Sequence, residues 1–410
     1  MSLCFIFVQL VQGENSMSST PIRTVTLGMA QAHPLRREDI ERAATILRRA
    51  GQRYEEAGYE VQTLRISTRP LFDALPDRSP AAWLAYVREL QQMLDDVGIA
   101  FCSLGPAQAA RPDFPLECIE VIADLLAATS ALNATVQLAL PEVGLRQEAA
   151  LPTARVIRRL AQETEEGFGN FRFAMLACVS PGGAFFPAAY HADPDMDSLS
   201  LGLQGAGIIA RAAQAWNGDG QERNLMAASE WVRGALLEQA SPVVALAEQL
   251  AAEQGISFGG IDLSPAPMGD DSIVTGLEAL GDRQFGTPGS VAMSAALTYA
   301  LKETGLPTCG YCGLMLPVLE DALLGKRWAD GLVNAQQLLL YSSVCGTGLD
   351  TIPLPGDMPA EEIARLLLDV ATMALRLNKP LSARLFPVPG KRSGEYTAFT
   401  SPYLTNTLIH

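Results

Sequence analysis

The sequence predicts a large α/β fold, and three observations predict it. Apolar strand-like runs alternate with helically spaced stretches along the whole chain, which argues for parallel βα units. Apolar residues make up 48% of the 410 residues and charged residues only 18%, enough to bury a sizeable core. No repeat or low-complexity linker divides the chain, so residues 22–410 read as a single α/β barrel domain.

Each element follows in order. Ile22 to Gly28 is β-rich and ends on glycine. Arg37 to Gly58 carries Ile40, Ala43, Ala44, Leu47 and Ala50 at helical spacing. Tyr59 to Ile66 alternates as a strand, Pro80 to Val97 is helical, and Ile99 to Leu104 is a strand running into Gly105-Pro106. Pro115 to Thr129 and Leu151 to Glu165 read as helices around the strand Asn133 to Ala139. Phe171 to Val179 and Ser198 to Leu203 read as strands. Asn224 to Gln254 is helical with a break expected at Ser241-Pro242, Ser241 capping a new helix. Phe258 to Leu263 is a strand, Ser290 to Thr304 a helix capped at Ser290, and Leu332 to Ser342 and Pro359 to Asn378 are helices. Leu381 to Phe386 is the last strand.

The formal charge of −15 argues against nucleic-acid and anionic-membrane partners. Seven cysteines at irregular spacing form no disulfide framework, so reduced thiols and a cytoplasmic location are expected. The run Leu3 to Val8 lacks a basic flank and is too short to span a bilayer. Residues 1–21 are expected to be a disordered extension, with Met17 an alternative start. The chain's size and apolar helices fit a homodimer.

Three polar-glycine segments carry the chemistry: Gly259 to Pro267, Cys309 to Asp321 and Ser342 to Asp357. Strand ends that present reactive groups to a pocket look like this. Asp262 can ligate a hard cation, act as a base or bind an amine; the competing reading is a carboxylate that caps loop amides. Cys309 and Cys312 have a metal-like spacing but no second pair, which leaves a redox couple or inert thiols in a turn. Leu316-Pro317 is expected to open a helix with Glu320 on its first turn, and one of Glu320 and Asp321 to cap it.

Cys345 is either a nucleophile, which would need His191 beside it, or a small buried apolar residue. Asp350 sits in a Gly-Leu-Asp-Thr turn comparable to that of Asp262. His191 follows an aromatic-proline loop with Asp193, Asp195 and Asp197 nearby, as a general acid/base or a solvated side chain. Arg384, Lys391 and Arg392 concentrate positive charge near the C-terminus and can receive an anionic group. Ser264, Tyr311 and Ser343 complete the expected substrate contacts. Asp262, Glu320 and Asp350 are the expected ligands if a divalent cation is bound.

These segments, with Phe185 to His191 and Leu381 to Lys391, resemble the family called domain of unknown function 711 from about Ile22 to the tail. The resemblance implies a fold similar to that of pyruvate formate-lyase, a barrel of about ten strands ringed by helices, used by glycyl-radical enzymes. Gly310-Tyr311 resembles part of a glycyl-radical loop, but three features depart from it. Leu306-Pro-Thr stands where an Arg is usual, the loop lies about 100 residues from the C-terminus, and Cys345 follows the glycine. The expected function is that of a soluble enzyme acting on a small polar or anionic metabolite by acid–base or metal-assisted chemistry. The alternatives are a non-catalytic metabolite-binding protein on the same barrel and a glycyl-radical enzyme.

Overall fold

The computed structural model describes residues 20–75, 79–216 and 224–410. Its strands are β1 (Ile22–Gly28), β2 (Leu64–Ser67), β3 (Phe101–Ala107), β4 (Leu132–Leu140), β5 (Gly144–Leu145), β6 (Phe173–Ala177), β7 (Ser198–Leu203), β8 (Ser257–Asp262), β9 (Gly348–Pro355) and β10 (Leu381–Val388). They form one 10-stranded sheet in the order β8-β7-β1-β2-β3-β4-β6-β10-β9, with β5 on β4. Most neighbours are parallel, as alternating strands and helices require. The exceptions are β7 against β1, β10 against β6, and β5 against β4.

Strand pairing does not close the sheet into the expected barrel: β8 and β9 are the ends of the order. The segment from Pro307 to Val318 lies between them and bonds to both. Ile261 N donates to Pro307 O at 2.9 Å, Cys309 N to Ile261 O at 3.1 Å, and Val318 N to Asp350 O at 3.2 Å. Pro307 and Pro317 have no N–H to give, so this segment occupies both edges without sustaining a ladder. A Cβ on Gly313 would run into Gly346 Cα, so the second and third polar-glycine segments meet backbone to backbone.

Helices cover the outer face. Ala360–Leu377 shows the governing pattern, with Ile363, Leu367, Val370, Ala371 and Ala374 buried at helical spacing against Ala150–Glu163. Each such Leu or Ile contributes about 1.5–3 kcal/mol by burial. Pro80–Asp96 starts where Ser79 accepts from Ala82 N at 3.3 Å with proline at the first turn.

Several expectations need correction. Leu225–Gln254 runs unbroken through Pro242, and Ser241 Oγ bonds back to Leu237 O at 2.7 Å. Ala240, Val243, Val244 and Ala247 are buried on either side, and that packing outweighs the one hydrogen bond proline removes. Asp350 is not in a turn but on β9. Leu316-Pro317 opens no helix; the helix there is Ala322–Ala329, capped by Asp321. Gly289, not Ser290, occupies the N-cap of Ser290–Lys302. Of the extension expected over 1–21, residues 1–19, including Met17, lie outside the described residues. Thr20 is buried and donates to Gln239 Oε1 at 3.2 Å. Among the described residues, no helix is long and apolar enough to cross a membrane.

Candidate functional site

Period-two alternation sorts the strand side chains into two populations. Ile22, Leu64, Ile66, Leu381, Ala383 and Leu385 pack into the main core. Their sequence neighbours Arg23, Arg65, Ser382 and Arg384 face a cavity of about 360 Å³ on the other side. Phe101 on β3, Asn133 on β4 and Asp350 on β9 extend that lining, and Glu320 reaches it from the edge segment. Phe185, Phe186 and Met315 supply apolar wall.

The centre of the cavity is a buried ionic triad. Arg384 donates from Nε to Asp350 Oδ1 at 2.6 Å and from Nη2 to Glu320 Oε1 at 2.5 Å. Its guanidinium also lies over the Phe171 ring, 5.0 Å from the centroid. Burial opposes charge on Arg384, yet the two carboxylates outweigh it and hold the group above its ordinary value. Burial raises the Glu320 carboxyl above the usual glutamate value, against the opposing pull of Arg384. Arg23 Nη2 stands 3.7 Å from Glu320 Oε2.

Arg65 has no such partner. Its Nε donates to Thr63 Oγ1 at 2.9 Å, and its guanidinium lies over Phe101 and Phe186 at 5.0 and 5.2 Å. Among the described residues, no carboxylate forms an ion pair with it. Burial and then the Arg23 charge, opposed by the charge of Glu320, push it down to about 9, so it stays protonated at neutral pH.

The other expected residues divide between this cavity and the scaffold. Tyr311, Asp350, Glu320 and Arg384 line the cavity. Asp262 does not: it is fully buried at the end of β8 with its oxygens turned to backbone amides. Oδ1 accepts from Ser264 N at 3.0 Å and Cys312 N at 3.1 Å, and Oδ2 from Tyr311 N at 2.9 Å. A Cβ on Gly310 would strike that carboxylate, so the turn around it needs glycine. Burial raises the Asp262 carboxyl, and the Ser264 side chain and the three amides pull it back. Ser264 Oγ accepts from Gly313 N at 3.1 Å within the same turn.

His191 is buried away from the cavity, with Nε2 3.0 Å from Met196 O, and burial lowers its pKa. Cys345 caps the C-terminus of Ala335–Val344 inside the main core, and burial pushes its thiol up to about 12. No Cys345–His191 pair forms. Ser343 Oγ donates to Leu340 O at 2.6 Å at the end of that helix, and Lys391 lies in the turn after β10, outside the cavity lining. Burial also pushes the Cys312 thiol up to about 12, so the Cys309–Cys312 turn presents no ready thiolate. Among the described residues, no three His, Cys, Asp or Glu side chains converge as metal ligands, so Asp262, Glu320 and Asp350 do not form one cluster.

Phe185 and Phe186 belong to the aromatic-proline loop before His191, whereas Phe101 and Phe171 lie in no motif, and neither do Arg23 and Arg65. Their signal is an arginine set between apolar residues in a strand, as in Leu64-Arg65-Ile66. Such a side chain must leave the core on the other face.

Fold and site together define an α/β protein with an arginine- and carboxylate-lined internal cavity. The chain belongs to the family described as Uncharacterised ACR (DUF711), whose pattern matches residues 16–400. It is similar to the UPF0210 protein of Oenococcus oeni, 27% identical over 92% of this chain and 88% of that protein. It is likewise similar to the UPF0210 proteins of Pyrobaculum aerophilum, at 30% over 83% of this chain and 76% of that protein, and of Desulforudis audaxviator, at 29% over 96% and 90%.

Proposed function

We propose that the protein binds a small organic anion in this cavity and acts on it by acid–base chemistry. The observation that carries the reading is Arg65, a buried guanidinium facing the cavity that feels the Glu320 charge but, among the described residues, makes no ion pair. A buried charge is costly unless paired, and an anionic ligand supplies the missing partner. Arg23 stands ready beside it. Glu320 is the proton-transfer group, since it faces the cavity and burial raises its carboxyl above the ordinary glutamate value. Arg384 already places positive charge between Asp350 and Glu320, so this route requires no divalent cation there.

The same reading extends to the fold. The segment from Pro307 to Val318 bonds to both edge strands, and this supports a ring completed in the manner of pyruvate formate-lyase. It gives no support to radical chemistry, because Cys345 lies in the core outside the cavity lining.

The test incubates the protein with a panel of small carboxylates and phosphates, reading thermal stabilisation and, by mass spectrometry, conversion. A ligand present at about 100 times its Kd adds about 2.7 kcal/mol of stability. Arg65→Met abolishes that stabilisation, whereas Glu320→Gln keeps binding and loses conversion. Stabilisation without conversion in the native protein would leave the metabolite-binding alternative. Stabilisation that survives Arg65→Met would remove the reading.

A further inference from the structure

We infer that the cavity's ligand is a carboxylate carrying a second oxygen function, a hydroxyl or carbonyl, which receives the hydroxyl of Tyr311. The inference rests on the anion site at Arg65 and names the class of acid it takes.

Tyr311 is placed with unusual firmness for a residue between two glycine turns. Its backbone N donates to Asp262 Oδ2 at 2.9 Å, and its ring packs in a small apolar cluster with Ala174, Leu176, Val179, Ala188 and Tyr190. Tyr311 lines the cavity, yet its buried Oη has no hydrogen-bond partner among the described residues. Ser382 lies beside it with a hydroxyl oxygen that can accept; Ser382 Oγ donates to Thr347 O at 3.0 Å, and no hydrogen bond of ordinary geometry joins it to Tyr311 Oη. Burial raises the phenol above its ordinary pKa, so it remains a donor at neutral pH. An unmet buried donor costs about 1–3 kcal/mol, which an accepting ligand oxygen recovers.

The cavity thus offers an anion receptor at Arg65, a lone hydroxyl donor at Tyr311, and an apolar patch of Phe185, Ala266 and Met315. A short carbon chain with a carboxylate and one further oxygen meets all three. At about 360 Å³ the space suits such a metabolite, being near the low end of ligand sites, roughly 300–1,000 Å³.

The experiment compares butyrate with 2-oxobutyrate and with 2-, 3- and 4-hydroxybutyrate by isothermal titration. The proteins are the full chain, Tyr311→Phe and Arg65→Met. At least one oxygenated acid should bind the native protein about tenfold more tightly than butyrate, the worth of one hydrogen bond. Tyr311→Phe keeps the ring in its cluster; it should cut that preference to within about twofold and leave butyrate affinity unchanged. Arg65→Met should weaken all five acids. Equal binding of all five acids to the native protein overturns the inference and leaves the anion site standing. A preference that persists in Tyr311→Phe overturns it as well. Absence of binding by every acid overturns both.

Discussion

Two buried carboxylate centres lie at the two strand edges that the segment from Pro307 to Val318 bonds to, and they have opposite kinds of partner. Asp262 gives its oxygens to three backbone amides, of Ser264, Tyr311 and Cys312. Glu320 and Asp350 share the side chain of Arg384 on the wall of a cavity, with Arg23 at a longer 3.7 Å from Glu320. Backbone amides in a turn cannot leave without unmaking the turn, so Asp262 builds structure. A guanidinium can share its donors with an incoming ligand, so the Arg384 centre can change partners during chemistry. Burial alone does not separate a scaffold acid from a working one; the mobility of its partners does.

The largest expected effect tests the cavity centre. Arg384→Met leaves Asp350 buried without its cation and Glu320 with only the longer Arg23 contact, and should lower stability by about 3–5 kcal/mol in urea titrations. A loss below about 1 kcal/mol would mean that water already screens the pair, and the contrast with Asp262 would fall.

Next comes Asp262→Asn, which turns one acceptor into a donor facing amide N–H groups. Stability should drop by about 1–3 kcal/mol. Arg65-dependent anion binding should persist, because Arg65 sits on β2, away from the turn. The preference for oxygenated acids should weaken, because Tyr311 hangs from Asp262 by its backbone N. Loss of all anion binding in a folded Asp262→Asn protein would place Asp262 in the working centre.

The fold was largely legible, because the strand–helix alternation is dense and the period changes are sharp. Ser198–Leu203 and Ile22–Gly28 were bounded as the structure has them. β9 was not read as a strand, because Gly346, Gly348, Pro353 and Pro355 carry the punctuation of a turn. Its pairing with β10 is a long-range fact that local propensity does not contain. The site was half legible. Asp350, Glu320 and Tyr311 stood out as polar groups in punctuated segments, and Arg384 as part of the positive charge near the C-terminus. Asp262 stood out for the same reason, yet which amides it meets depends on a turn 49 residues on. Arg65 stayed hidden because a single arginine in a short strand carries no motif; only the cavity opposite gives it meaning.

A third prediction carries the amide-bound class onto the pH axis. Asp321 accepts from Leu324 N at 2.9 Å and Ile273 N at 3.1 Å, and burial lifts its carboxyl from 3.8 to about 6. The folded state therefore holds this proton more tightly than the unfolded chain. That contribution to stability is complete below pH 3.8 and is lost as the pH rises through about 6. Asp321→Asn keeps a capping acceptor while removing the titration. The stability difference between about pH 4 and 6 should shrink by about 2 kcal/mol, read from urea midpoints across that range. An unchanged slope would show that the acid stays ionised, its amides outweighing its burial.

The smallest effect bounds the site from outside. Lys391 was read as an anion receptor on charge alone, but it lies in the turn after β10, beyond the cavity lining. Arg65 and Arg23 face inward from β2 and β1. If proximity to the cavity governs anion capture, Lys391→Ala should leave both anion affinity and stability nearly unchanged, within about 0.5 kcal/mol. A long-range contribution from its charge would appear as weakened binding at low salt that vanishes at high salt. Titrations at two ionic strengths separate these outcomes. Weaker binding at both would draw the boundary of the site out to the C-terminal tail and make Arg65 one receptor among several.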